Sequence, residues 1–170
     1  MNSIAMFQLL LARRGCDEQV IAHVKAVTKK ALLLSNLLSI PVDRDLVVAG
    51  SMLHDIGRSK THGIRHVVEG AQIVREEGFS EELARIVERH VGAGIPLEEA
   101  VRLGLPPKDY LPTTPEEVIV SYADNLTNGT RHVSFTVALQ RFKKTLGTGH
   151  PAIERFVKQH EQIENWIKRL

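Results

Sequence analysis

Apolar residues recur every three or four positions along most of this chain, which is the spacing of one face of an α-helix. A first short amphipathic helix is indicated by Ile4, Phe7 and Leu11. The apolar face of a second, longer helix consists of Val20, Val24, Val27, Ala31 and Leu34. Asp17 can cap this second helix, which we expect to run to about Leu38 because Pro41 cannot continue it.

The third predicted helix begins after Asp43 and contains the sequence DLVVAGSML, which is apolar on nearly all sides. A helix of this kind belongs in the centre of a fold rather than on its surface. We expect it to include His54 and Asp55 and to stop at Gly57.

Helical spacing continues through the rest of the chain, with breaks at glycine and proline. Further helices are predicted over residues 64–77, 80–91, 96–103, 114–125, 134–146 and 151–170. Ser80 can cap the second of these, and Thr114 with Glu117 forms a capping-box pattern. The stretch NLTNGTRH indicates a turn, and no segment alternates convincingly like a strand. The pattern therefore predicts a single all-α domain, a helical bundle over residues 1–170.

The apolar face of the last predicted helix has two interpretations. Its members are Ile153, Phe156, Val157, Ile163, Trp166, Ile167 and Leu170. Such a face is usually part of the core, but it could equally form the interface of a homodimer.

Composition and charge narrow the class of protein. The chain has 170 residues, of which 43% are hydrophobic and 25% charged, which suits one domain with its own core. The net charge of +2 does not indicate a nucleic-acid partner. The single cysteine, Cys16, excludes a disulfide within the chain and fits a reducing compartment. No apolar run is long enough to span a membrane and no signal peptide is recognisable, so we expect a cytoplasmic protein.

Histidine and aspartate occur at positions where helical spacing predicts burial or a helix end. The candidates are His23, His54, Asp55, His66, His90 and Asp124. Burying several ionisable groups is costly unless they are paired or bind a metal. Imidazole and carboxylate together form the ligand set of iron, manganese, cobalt, nickel and zinc sites. Because adjacent helical side chains diverge, His54 and Asp55 can reach one ion only near a helix end.

The order of these residues resembles that of a known family. His23, the pair His54–Asp55 and Asp124, on a helical chain, resemble the HD-domain superfamily of metal-dependent phosphohydrolases. The longer stretches HDIGR, HVVEGA, VERHVGAG and SYADNL are similar to its HDIG subgroup, in particular to small stand-alone archaeal proteins. The resemblance covers about residues 17–130, so that residues 131–170 would supply C-terminal helices packing on this core.

The resemblance implies a set of ligands. His23, His54, Asp55 and Asp124 would hold one divalent transition metal, and His66 and His90 would add a second ion with Asp55 bridging. Without the resemblance, other interpretations remain open for these two residues. His66 could simply cap a helix or pack against its neighbours, and the helix dipole could favour a histidine such as His90 near a helix C-terminus. The position three residues after Asp55 is Arg58, whereas nucleotidase-type and alarmone-hydrolase-type members have an acidic residue there. The His-His and Gly-Tyr-Pro signature of cyclic-dinucleotide phosphodiesterases is absent.

The expected function is hydrolysis of a phosphomonoester or phosphodiester by a metal-activated water, with a nucleotide as the expected substrate. Asp55 and Arg58 are the candidate catalytic residues, and Arg58, Lys60 and Arg131 the candidate phosphate contacts. His62 is expected to be exposed. A non-catalytic metal-bearing module that binds a nucleotide or RNA is the main alternative, and oxygenase chemistry is a third.

Overall fold

The computed structural model describes residues 3–167, and nearly all of its regular structure is helical. Its elements, in chain order, are α1 (Ser3–Arg14), α2 (Glu18–Leu37), α3 (Arg44–Leu53), a 3₁₀ turn (Ile56–Ser59), α4 (His66–Glu76), α5 (Glu81–Glu88), α6 (Leu97–Arg102), α7 (Pro115–Asn125), β1 (Thr127–Asn128), β2 (Arg131–His132), α8 (Phe135–Leu146) and α9 (Pro151–Trp166). The predicted all-α class is confirmed.

The predicted caps at three helix starts are confirmed. Asp17 accepts a hydrogen bond from the backbone N–H of Val20 at 2.8 Å, and Asp43 accepts one from Leu46 at 3.0 Å. Ser80 caps α5 in the same way. Each side chain satisfies a backbone donor that the first helical turn leaves free, and this fixes where the helix begins.

The capping box predicted at α7 forms only in part. Thr114 accepts from the backbone N–H of Glu117 at 3.3 Å, as expected. The carboxylate of Glu117 instead accepts from the N–H of Thr113 at 2.7 Å and from Arg89 at 3.0 Å. It pairs with Arg89 because a buried carboxylate gains more from a guanidinium than from an amide alone.

Helix α3 lies at the centre of the fold, as its apolar sequence predicts, and packs against α1, α2, α5 and α7. Val47, Met52 and Leu53 have no exposed surface. A Cβ at Gly50 would lie 2.6 Å from the Cγ2 of Ile86, so glycine lets α3 approach α5 closely. The core therefore surrounds the helix that leads directly to His54.

The prediction that Gly57 ends this helix is wrong. Helix α3 ends at Leu53, and Gly57 lies within the 3₁₀ turn without a positive φ. Glycine is required there for space, because a Cβ would lie 1.9 Å from the carbonyl oxygen of His66. The turn is thereby pressed against the start of α4.

Helix α5 also ends earlier than predicted, at Glu88 rather than residue 91. His90 therefore lies in the loop that follows, and Gly92 adopts a positive φ of 57° beyond it.

The stretch after α7 was predicted as a turn only, but it forms a two-stranded hairpin in which Thr127 pairs with His132.

The C-terminal helix belongs to the core. Ile153, Phe156 and Ile163 are buried, and the ring of Phe156 stacks on Phe142 of α8 with centroids 4.5 Å apart. Since this apolar face is covered within the chain, the core interpretation of the pattern is confirmed for these residues. Leu170, which the pattern places on the same face, lies outside the described residues.

A polar network joins α9 to α7 and to the loop after His90. Gln159 accepts from Asn125 at 3.0 Å, and Asn125 donates a second bond to the carbonyl of Gly92 at 2.9 Å.

Within residues 3–167, no helix combines the length and hydropathy needed to cross a bilayer.

Candidate metal centre

The fold brings together six side chains that the sequence analysis singled out. They are His23 on α2, His54 and Asp55 between α3 and the 3₁₀ turn, His66 at the start of α4, His90 after α5 and Asp124 on α7. His54, Asp55, His66 and His90 are at most 4% exposed, whereas the side chains of His23 and Asp124 are about one-fifth exposed. The cluster is thus buried on one side and open to solvent at His23 and Asp124.

Each of the four histidines has its Nδ1 bound to a backbone carbonyl. The acceptors are Gly129 for His23 (2.6 Å), Ser51 for His54 (2.7 Å), Gly63 for His66 (2.8 Å) and Val87 for His90 (2.7 Å). A carbonyl can only accept, so Nδ1 carries the proton and the neutral ring presents a lone pair at Nε2. This carbonyl contact is the one that orients metal-binding histidines in general.

The first group of converging atoms involves Asp124. Its Oδ1 lies 2.9 Å from His23 Nε2 and 3.5 Å from His54 Nε2. The Oδ2 of Asp55 lies 3.9 Å from His23 Nε2 and 3.7 Å from His54 Nε2. Ligand atoms that share one ion at about 2.1 Å lie about 3 Å apart, so small shifts would close this group around a cation.

The second group involves the other oxygen of Asp55. Its Oδ1 lies 3.2 Å from His66 Nε2 and 3.4 Å from His90 Nε2. The two Nε2 atoms of His66 and His90 are themselves 3.2 Å apart. Asp55 therefore directs one carboxylate oxygen at each group.

The residues present fit a bound cation. His54 Nε2 and Asp55 Oδ1 are buried and lack a hydrogen-bond donor among the described residues. Because each neighbouring Nε2 is also an acceptor in the neutral tautomer, the short contacts between these atoms join acceptor to acceptor. Unpaired buried acceptors are costly, and a proton or a metal ion is needed to satisfy them. The groups that could hold an ion are His23–His54–Asp55, His54–His90–Asp124 and Asp55–His66–His90.

Electrostatics favour positive charge in the cluster. Burial alone would lower the pKa of His54, but the carboxylates of Asp55 and Asp124 raise it to about 9. Burial would raise the pKa of both carboxyl groups, yet the surrounding imidazoles hold the pKa of Asp55 and of Asp124 well below the usual range. The two carboxylates are anionic, and their field stabilises positive charge beside His54, whether that charge is a proton on the imidazole or a bound cation that displaces the proton.

Arg58 contacts the cluster directly, in a way the sequence analysis did not predict. Its Nε forms an ion pair with Asp55 Oδ2 at 2.8 Å, and its Nη1 donates a hydrogen bond to the carbonyl of His62 at 3.2 Å. Arg58 was expected to contact substrate phosphate, but in the structure it holds the carboxylate oxygen that faces His23 and His54. The reason is proximity, since Arg58 lies three residues after Asp55 on the 3₁₀ turn.

Lys60 and Arg131 are exposed, and neither has a hydrogen bond or ion pair to the six clustered residues within the described part of the chain. Lys60 follows the 3₁₀ turn, and Arg131 lies on β2. His62 is exposed, as expected, and only its backbone carbonyl is used by Arg58.

The groups that orient the histidines could not be predicted from the sequence, because they are backbone carbonyls and carry no side-chain signal. One of them is an exception. Gly129 follows Asn128, and Asn-Gly is a strong signal for the tight turn of a hairpin. Gly129 has a positive φ of 61°, and its carbonyl accepts from His23.

Curated relatives match this chain over most of its length. An uncharacterized protein of Methanocaldococcus jannaschii is 50% identical over 94% of this chain and 96% of its own. A tRNA (cytidine(56)-2'-O)-methyltransferase of Picrophilus torridus is 43% identical over 92% of this chain, which spans only 45% of that enzyme. A ribonuclease Y of Thermosipho melanesiensis is 30% identical over 98% of this chain, which spans 25% of that protein.

A solved structure shares the fold. The HD domain of the phosphodiesterase PgpH from L. monocytogenes, in complex with cyclic-di-AMP, superposes with a TM-score of 0.55 over 94% of this chain and 98% of that one. The two sequences are 14% identical, so the likeness concerns the fold alone. The family model described as HD domain matches residues 20–129, the segment that contains all six clustered residues. The chain belongs to the HD domain family.

Proposed function

We propose that this protein is a metal-dependent phosphohydrolase that cleaves phosphate esters at the His–Asp cluster. The observation that carries the proposal is the convergence of four imidazole Nε2 atoms on two anionic carboxylates, with every Nδ1 committed to a backbone carbonyl. This arrangement leaves buried acceptors that a cation satisfies.

Two overlapping ligand sets are proposed. His23, His54, Asp55 and Asp124 would hold one ion, and His66 and His90 would hold a second together with the other oxygen of Asp55. Nitrogen and carboxylate donors suit Fe, Mn, Co, Ni or Zn. When bound, such an ion lowers the pKa of water and offsets negative charge on phosphoryl oxygens.

The chain's own residues would prepare the site for this chemistry. The carbonyls of Ser51, Gly63 and Val87 fix the imidazole planes, so little reorganisation is needed when charge develops. Burial of four of the six residues excludes bulk water from the closed side of the cluster. Substrate would approach from the open side, where the Arg58 side chain is 29% exposed.

Arg58 would connect the carboxylate to the substrate. Its Nε holds Asp55, and the guanidinium has further N–H groups in the same plane that can donate to a phosphate oxygen. Lys60 and Arg131 are exposed cations of the neighbouring turn and hairpin, and they would contribute to attraction of the anion rather than to direct contact.

A nucleotide phosphodiester is the proposed substrate class. Support comes from the names of proteins with this domain, one a phosphodiesterase bound to cyclic-di-AMP and one a ribonuclease. The +2 net charge of the chain gives no separate support for a long nucleic acid, so a small nucleotide ester is favoured.

The test is metal analysis combined with a substrate screen. The purified protein would be loaded with each candidate metal and assayed on nucleoside monophosphates, cyclic nucleotides and cyclic dinucleotides. The Asp55→Asn variant retains the size of the side chain and loses its charge, so it should remain folded while metal content and turnover fall. Turnover that survives in folded Asp55→Asn would refute the proposal.

A non-catalytic role is the second candidate, and one observation favours it. The 43% identical relative from Picrophilus torridus is named as a tRNA methyltransferase, and this chain matches less than half of it. A domain of this kind could bind RNA for another activity. Titration of the metal-loaded protein with tRNA at several salt concentrations tests this role, since phosphate contacts make affinity fall steeply with salt.

A further inference from the structure

A cavity of about 750 Å³ lies between the loop at residues 91–95, which directly follows His90 of the His–Asp cluster, helix α6, the end of α8 and the start of α9. Small-molecule sites commonly enclose about 300–1,000 Å³, so the volume suffices for a nucleotide. The C-terminal helices, which lie outside residues 20–129, form one wall. This wall is therefore specific to the part of the chain beyond the family match.

The lining combines apolar surface with guanidinium groups. Arg102, Arg141 and Arg155 line the cavity, and Glu99 supplies one carboxylate, which pairs with Arg155 at 2.7 Å. The formal charge of these four side chains is therefore positive. In addition, the Nε of Arg155 is buried without an acceptor among the described residues. An excess of guanidinium donors in an apolar recess suits an anionic ligand with an apolar body.

The apolar part of the lining includes an aromatic ring. Phe142 lines the cavity and is held in a fixed plane by its stack on Phe156, with an interplanar angle of 22°. Leu103 and Leu146 line the same cavity and are 48% and 42% exposed, which is high for large apolar side chains. A flat ring bound against Phe142 would cover apolar surface that is now in contact with water.

The cavity and the His–Asp cluster share chain segments. Ile64 lines the cavity two residues before His66, and Val91 lines it directly after His90. Arg141 of the cavity donates at 2.8 Å to the carbonyl of Asn125, which follows Asp124. A molecule in the cavity therefore lies beside the elements that carry three of the six clustered residues.

We propose that this cavity binds the nucleoside part of the phosphate ester that the cluster cleaves, with the base against Phe142 and a further phosphate or ribose oxygen at Arg102 and Arg141. The inference rests on the proposed function, because it assigns the scissile phosphate to the cluster. A simple alkyl phosphate would fill the apolar recess but would leave the guanidinium donors near Phe142 without matching acceptors.

Binding to the metal-free chain of residues 1–170 tests the cavity independently of turnover. Isothermal titration would compare the four common nucleoside 5′-monophosphates with inorganic phosphate and dodecyl phosphate. The cavity variants are Arg102→Gln and Leu146→Glu, and the matched controls are Lys144→Gln on α8 and Leu33→Glu on α2, all at exposed positions. We expect nucleotide affinity to fall about tenfold in each cavity variant and to change less than twofold in each control.

Three outcomes would overturn the proposal: no nucleotide binding above that of inorganic phosphate, equal affinity in cavity and control variants, or preferred binding of dodecyl phosphate. Turnover separates this proposal from the proposed function. The quantity to compare is the kcat/KM for a nucleotide ester divided by the kcat/KM for glycerol phosphate. If the metal-loaded enzyme cleaves esters but this ratio is the same in the cavity variants as in the unmodified chain, only the cavity proposal fails. If no ester is cleaved but nucleotides bind as expected, the cavity assignment as a nucleoside site stands and the phosphohydrolase proposal fails.

Discussion

Gly57 and His66 approach each other so closely that a Cβ on Gly57 would lie 1.9 Å from the carbonyl oxygen of His66. This contact presses the 3₁₀ turn that follows Asp55 against the first turn of α4. The distance of 3.2 Å between Asp55 Oδ1 and His66 Nε2 depends on that packing. The backbone at Gly57 is thus a structural condition for the second group of candidate ligands.

Replacing Gly57 with alanine should therefore damage both stability and the cluster. The added methyl must displace backbone atoms, and we expect a loss of about 3 kcal/mol in the free energy of unfolding. Urea denaturation followed by circular dichroism measures this loss. Gly149→Ala is the control, because a Cβ there meets no atom within 4 Å and φ is not positive. Equal stability of the two variants would contradict the packing argument.

Single histidine substitutions should change the number of bound metals in steps. We expect His66→Ala to lower metal content from two ions per chain to one, because His66 contacts only the Oδ1 side of Asp55. Asp55→Asn should lower the content of both sites, since Asp55 faces both groups. Mass spectrometry of the native protein and elemental analysis measure the stoichiometry.

The exposed His62 provides the matched control for these variants. His62→Ala should retain the metal content of the unmodified chain, because its side chain lies in a loop outside the cluster. An unchanged metal count in His66→Ala would exclude the two-ion arrangement.

Arg58→Gln should separate metal binding from catalysis. The guanidinium lies 2.8 Å from Asp55 Oδ2 and competes with a cation for that oxygen. Without it, we expect metal affinity to rise several-fold, while kcat/KM for a phosphate ester falls about tenfold or more through loss of a charged phosphate contact. Metal titration and steady-state kinetics measure the two effects. Lys29→Gln, an exposed position on α2, is the control. A parallel fall of both quantities would show that Arg58 only holds Asp55 in place.

The Cys16 thiol should be unreactive in the folded protein. Burial and then the negative charge of Asp55 raise its pKa to about 11, and its Sγ lies 3.6 Å from the carbonyl of Ile56. At pH 8 the thiol remains protonated, so alkylation by iodoacetamide should be slow until urea unfolds the chain. Rapid alkylation of the native protein at pH 8 would contradict this assignment.

The same shift predicts a loss of stability at alkaline pH. Between about pH 9 and 11 the unfolded chain releases the thiol proton while the folded chain retains it, so the free energy of unfolding falls as pH rises. Cys16→Ala should remove this part of the alkaline decline. Urea titrations of both proteins across this pH range make the comparison.

The sequence predicts the helices and the clustered residues well because both leave regular signals. Apolar spacing identifies α2, α3 and α9, and the order of His23, His54–Asp55 and Asp124 along the chain matches the family pattern. The cluster forms because α3 is buried throughout from Ala49 to Leu53 and delivers His54 to the centre. That burial is already visible in its continuous apolar sequence.

Other features depend on tertiary contacts and could not be predicted. The close approach at Gly57 is set by α4, and a local glycine at a helix end suggests a stop instead. The Arg58–Asp55 ion pair depends on the 3₁₀ geometry of the turn. The ring of His160 stacks on Phe135 with centroids 3.7 Å apart and hydrogen-bonds Tyr122, and both partners are distant in sequence.

The bond from His23 Nδ1 to the carbonyl of Gly129 has a consequence for the hairpin of β1 and β2. Coordination at Nε2 would draw electron density from the ring and make the Nδ1–H a stronger donor to Gly129. The two-residue strands, which are short and largely exposed, would then open less often. Amide hydrogen exchange across residues 127–132 would slow on metal addition, so that an ordinary surface turn becomes a reporter of occupancy in the buried cluster.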